Sequence, residues 1–136
     1  MKTIASKLNG IYRAPESTDE LRAAAPDLRW IAVSLKRIRG KRALLKALAL
    51  AMNFPRTFGD NWDALADCLQ DLSWLPDRGH LLHLQDFADF SASAPAERAA
   101  LLDILGTAAE HWRRQGRAFI VLVDGNSALQ EFPAWK

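Results

Sequence analysis

The chain has little that would place it in a specialised class. Of its 136 residues only Cys68 is a cysteine, so no internal disulfide can form, and a reducing cytoplasm is the simplest setting. Long hydrophobic runs are missing too. Residues 44–52 make the longest apolar-looking stretch, Lys46 interrupts it, and a membrane span needs about 20 apolar residues. Residues 1–12 contain no continuous apolar run, so no secretory signal is expected. Charge of one sign is scarce: the net charge is +2, and global charge names no partner. There is no internal repeat and no low-complexity tract. What remains is ordinary for one soluble globular domain, with 49% hydrophobic and 25% charged residues, long enough to bury a core without staples.

Local charge says more than global charge. Lys36, Arg37, Arg39, Lys41, Arg42 and Lys46 crowd one stretch, and Asp60, Asp63, Asp67, Asp71 and Asp77 crowd the next. Such segregation predicts a surface with a basic and an acidic region.

Periodicity predicts strands alternating with helices. Residues 1–28 read as a lead-in to the same domain: an extended piece near 11–13, then a helix with Ser17 and Glu20 spaced as a capping box. Residues 30–35 are β-branched and aromatic, as in a strand. Gly40 turns the chain, and Leu44, Leu45, Leu48 and Met52 recur at helical spacing. A second helix is predicted over 61–73, a strand over 80–84, and a loop over 85–94. Pro95 suits the first turn of a long helix that Gly116 stops. Residues 119–123 form a continuous apolar run, as expected of a strand covered on both faces. This order implies one α/β domain, 29–136 plus its lead-in, built on a parallel sheet with right-handed crossovers.

The helix over 61–73 carries the functional argument. At about 100° per residue, Trp62, Leu65, Ala66, Leu69 and Leu72 share one face, while Asp60, Asp63, Asp67 and Asp71 line the opposite one. Charged helix faces are usually solvated surface. Asp60 and Asp63 have a further structural account, as cap and first-turn carboxylates at the positive end of the helix dipole. Asp67 and Asp71 do not. Like charges at this spacing destabilise a helix by roughly 0.2–0.5 kcal/mol per pair, and aspartate is a poor interior helix former. An unpaired carboxylate ladder suits a cationic partner. A metal ion wants six or more converging oxygens, which one helix face does not offer. Acid/base pairs normally flank a cleft. A basic protein surface, rich in arginines that can fork onto carboxylates, fits best.

Residues 54–69, reading Phe-Pro-Arg-Thr-Phe-Gly-Asp-Asn-Trp-Asp-Ala-Leu-Ala-Asp-Cys-Leu, strongly resemble the signature of the barstar family of ribonuclease inhibitors. The likeness runs in element order from Trp30 to Val123, about two thirds of the chain. It implies a three-stranded parallel sheet packed with helices, and cytoplasmic inhibition, without turnover, of a secreted guanyl-preferring microbial ribonuclease. In the family, the helix and the loop before it plug the nuclease active site with carboxylates. By position, Asp67 resembles the central aspartate and Asp63 its neighbour. Gly59 and Asn61 resemble backbone-level contacts at the start of the helix, beside Asp60. The chain departs from the family pattern at Thr57, where an aromatic is expected, at Ala66, where a tryptophan is expected, and at His111, where an outlying glutamate is expected beside Glu110. These changes open the partner class to a related basic toxin.

Other chemistry is weaker. A free cysteine such as Cys68 is more often an inert buried residue than a nucleophile, and no histidine is spaced to activate it. His80 and His83 fall on opposite faces of a predicted strand, so they make poor joint metal ligands. No catalytic residue, metal or cofactor is expected. Trp30, Trp62 and Trp112 lie on predicted apolar faces, where core packing is the commoner use than RNA stacking. The alternative to the inhibitor is an RNA-binding module using residues 36–46, a stretch more often a solvated surface, so nucleic acid is the less favoured partner.

Overall fold

The structure, a computed structural model, describes residues 6–76, 79–125, 129 and 131–135. Asp77 of the acidic block, part of the turn predicted at 76–79, and residues 1–5 of the lead-in lie outside the described residues. After a 3-10 turn at Ser6–Leu8 come β1 (Gly10–Arg13), α1 (Asp19–Ala24), β2 (Leu28–Ser34), α2 (Lys41–Met52), α3 (Trp62–Leu69), β3 (Gly79–Gln85), α4 (Phe87–Ser93), α5 (Pro95–Arg114) and β4 (Phe119–Val123).

The strands form one sheet in the order β1-β4-β3-β2, with every neighbouring pair parallel. Parallel neighbours cannot be joined by tight hairpins, so the helices serve as crossovers and cover the sheet. β4, the continuous apolar run, is buried along its whole length. Its odd residues Phe119, Val121 and Val123 join the main core with α2, α3, α4 and α5. Ile120 and Leu122 join a smaller cluster on the other face with Ala25, Leu28 and Leu81. Period-two alternation thus builds two cores from one strand.

The sheet has four strands, not the three that the family resemblance implied. The extra strand is the extended piece of the lead-in: Gly10 pairs with Ile120 and Arg13 with Val123. It lies outside the span of the resemblance, so the family pattern could not have counted it. Residues 85–94, predicted as a loop, contain α4, whose Phe87 and Phe90 are fully buried. A seven-residue helix with two aromatic anchors is too short to show periodicity. The capping box predicted at Ser17 is not formed either: Thr18 is the cap residue of α1 and makes no side-chain cap bond.

His80 and His83 are both buried, three residues apart on β3 and so on opposite faces of the sheet. His83 Nε2 lies 2.7 Å from Asp124 Oδ1, and its ring meets Trp30 edge-on at 6.2 Å. Trp112 is buried, and Trp30 and Trp62 are half-buried against the two cores.

Candidate partner-binding face

α3 is shorter than the helix predicted over 61–73. Its start is set by Asn61, not by Asp60. Asp60 is in the left-handed region (φ 52°), which aspartate tolerates better than most residues. Asn61 is extended, and its Oδ1 accepts the Ala64 N–H at 2.7 Å while its Nδ2 donates to the Gly59 carbonyl at 3.1 Å. One side chain thus fixes both the helix start and the loop before it, satisfying a first-turn donor worth about 1 kcal/mol. A Cβ on Gly59 would lie 3.2 Å from Asn61 Nδ2, a close approach that favours glycine.

The helix ends at Leu69 with Gln70 as its C-cap, and a turn through Leu72, whose φ is 50°, carries the chain away although no glycine or asparagine marks the place. Burial of the Leu72 side chain offsets that unfavourable backbone. Asp71 therefore lies past the helix, and the ladder of four helical aspartates becomes two helical ones, Asp63 and Asp67, with Asp60 and Asp71 on the flanking turns.

The inner face of α3 is anchored. Leu65 and Leu69 are fully buried, and the Trp112 indole of α5 donates to the Leu69 carbonyl at 2.7 Å. Trp74 Nε1 donates to the Met52 carbonyl at 2.9 Å and ties the chain after α3 back to α2. Neither indole bond was legible from spacing, which marks tryptophan as apolar and conceals its one donor.

The outer face is bare. Thr57, Gly59, Asp60, Asn61, Asp63, Asp67 and Asp71 are all exposed, and Ala66 is half-buried. Among the described residues no ion pair engages any of these aspartates. Asp67 borders a groove of about 230 Å³ shared with Thr57, Phe58 and Trp74. Asp63 and Ala66 border a second groove, of about 340 Å³, whose opposite wall on α5 carries Asp103. Sequence reasoning missed Asp103, because no local spacing links it to α3. His111 is on α5 apart from these two grooves: half-buried, it stacks edge-on against Trp112 at 4.9 Å and lines a third groove with Gln70 and Glu110.

Cys68 sits between the two carboxylates that follow α3's outer line. Burial, then the negative charges of Asp71 and Asp67, push its thiol up from the ordinary range. A thiol held protonated is a poor nucleophile. Among the described residues no group of three or more His, Cys, Asp or Glu is arranged to hold a metal ion, and no helix is long and apolar enough to cross a membrane.

Fold and site together define a small parallel α/β protein that displays carboxylates along one anchored helix. Comparison with known proteins makes the class specific. The family model described as Barstar (barnase inhibitor) matches residues 28–124, and the chain belongs to that family. No curated protein matches the chain. Among solved structures, the chain is similar in fold to the Aeropyrum pernix ORC2 protein in ADPNP–ADP complexes, with a TM-score of 0.51 and 14% identity. The match covers 90% of this chain and spans 37% of the length of that one, a likeness of fold alone.

Proposed function

We propose that this chain is a non-covalent inhibitor of a secreted guanyl-preferring microbial ribonuclease, or a related basic toxin, and acts in the cytoplasm of the cell that makes it. The observation that carries the reading is the state of Asp63 and Asp67. Both are exposed on the family-matched helix, and neither has a cationic partner among the described residues. Such carboxylates are ready to accept the arginines and lysines with which a ribonuclease holds RNA phosphates.

In this reading Asp67 enters the phosphate-binding pocket and Asp63 pairs with a further cation. Asn61 presets the helix so that little ordering is required on binding. Thr57, Gly59, Asp60 and Ala66 contribute contact surface around the two carboxylates, and His111 is an outlying contact. The raised thiol of Cys68 agrees with a role in binding and not in nucleophilic chemistry. Titrating barnase-type ribonuclease with the full chain tests the proposal. RNA cleavage should fall linearly to near zero at one equivalent. Undiminished cleavage by barnase and by other basic microbial ribonucleases, at excess inhibitor, would remove the reading.

A further inference from the structure

Residues 28–59 carry eight Lys and Arg and no Asp or Glu, whereas residues 60–77 carry five Asp and no Lys or Arg. The fold sets the two blocks side by side. Lys41, Arg42 and Lys46 of α2 share a groove of about 650 Å³ with Asp60, and Lys41 Nζ lies 5.5 Å from the ring centroid of Trp62 on α3. We propose that this groove holds the phosphodiester backbone of single-stranded RNA, a site that borders the candidate nuclease-facing surface at Asp60 and requires neither Asp63 nor Asp67.

Two simpler explanations for the three cations fail. They do not serve ion pairing, since no salt bridge engages any of them among the described residues. Elsewhere the chain does pair its cations, Arg113 and Arg114 with Glu110, and Arg98 with Glu131. Nor do they serve helix stability. Lys41 and Arg42 stand in the first turn of α2, which has no acidic residue, and the helix dipole disfavours cations there. The charges make sense once an anion neutralises them.

The arrangement fits an extended polyanion better than a single phosphate ion. Lys36, Arg37 and Arg39, all exposed, continue the cationic run along the connection from β2 to α2. A linear series of cations tracks successive phosphates and reads no sequence. Asp60, on the same groove, offers an acceptor for a ribose 2′-hydroxyl, the group that separates RNA from DNA.

Anisotropy of a labelled oligouridylate of about twelve nucleotides, titrated with the full chain, tests the site. Binding should appear at low salt, and log Kd should rise with log salt at a slope of about 2 for three phosphate contacts on a single strand. K41A/R42A/K46A should weaken binding at least about tenfold and flatten that slope, since each lost phosphate contact removes part of it. Alanine is the best helix former, and circular dichroism checks that α2 persists. Should that variant unfold, K46E alone must still weaken binding. D67A should bind RNA as the parent does. The proposal is overturned by absence of binding at low salt, by variants that bind like the parent, by equal affinity for the matching DNA, or by full displacement with inorganic phosphate at matched phosphate concentration.

Discussion

Asn9 uses every hydrogen-bonding group of its amide within the chain, whereas Asp63 and Asp67 form no ion pair with any described residue. Asn9 Nδ2 donates to the carbonyls of Ala109 at 3.1 Å and Arg117 at 2.9 Å, and its Oδ1 accepts the Phe119 N–H at 2.7 Å. It joins the lead-in to the end of α5 and the start of β4, where β1 adds itself to the sheet. The aspartates of α3 stand on a helix held from beneath by Leu65, Leu69 and the Trp112 indole, with nothing done to their own charges. The difference separates two purposes. Polar atoms that stabilise this fold are consumed by it, and polar atoms left over on a rigid element are available to something else.

The sharpest way to break that comparison is to remove one member from each side. Asp67→Ala should cost about 4 kcal/mol in binding a barnase-type ribonuclease, roughly a thousandfold in Kd, because it leaves a cation buried and unpaired in the complex. Its effect on folding should stay within about 0.5 kcal/mol, with relief of like-charge repulsion favouring the variant. Urea denaturation beside an inhibition assay reads both. A large loss of stability with unchanged inhibition would invert the assignment. Asn9→Ala should do the reverse. Three hydrogen bonds at about 1 kcal/mol each predict a loss near 3 kcal/mol in denaturation, and inhibition of the folded fraction should be unchanged.

Asn61→Ala tests the middle ground, since this residue stabilises the fold and also presets the candidate face. Loss of an N-cap costs about 1 kcal/mol of stability. Inhibition should weaken by less than for Asp67→Ala, mainly through a slower association as the frayed first turn orders on binding. If Asn61→Ala weakens binding as much as Asp67→Ala, the carboxylates are not the centre of the face.

How far the sequence disclosed these parts follows from what each depends on. β4 was legible in full because a run of five apolar residues has one reading, and α5 because Pro95 and Gly116 bracket a long stripe. The outward aspartates were legible because they oppose Leu65 and Leu69 on the wheel. The end of α3 before Asp71 was not, since the turn through Leu72 that follows it depends on tertiary burial overriding a backbone preference. The extended piece near 11–13 was legible, but its place as β1 beside β4 was not, because that place is fixed by Asn9 reaching residues about a hundred positions away. Asp103 was invisible likewise, because its nearness to Asp63 exists only once α3 and α5 pack.

Glu110 gives the smallest effect and a direct contrast with Asp67, being an acid that this chain neutralises itself. Arg113 donates to it from Nε at 2.7 Å and from Nη2 at 2.6 Å, and Arg114 adds a bond at 3.3 Å. Hydrogen bonding by Arg113 is the main cause that lowers its carboxyl to about 2, with Arg113's charge and the contacts of Arg114 adding to it. An acid near the C-terminal end of α5 opposes the helix dipole, so these arginines also cancel an unfavourable charge. The sign of the linkage is fixed by the depression. Unfolded Glu110 titrates near 4.3, so the pairing contributes its full stabilisation above that pH and loses it as pH falls toward about 2. NMR titration of the side-chain carboxyl should place the folded midpoint near 2 in the parent and return it toward the ordinary glutamate range in Arg113→Gln. Because the pair is exposed, Glu110→Gln should only slightly flatten the acid limb of stability against pH and leave neutral stability almost unchanged. A parent midpoint in the ordinary range would mean that Arg113 and Arg114 do not neutralise this acid, and the distinction between consumed and available carboxylates would then have lost its clearest example.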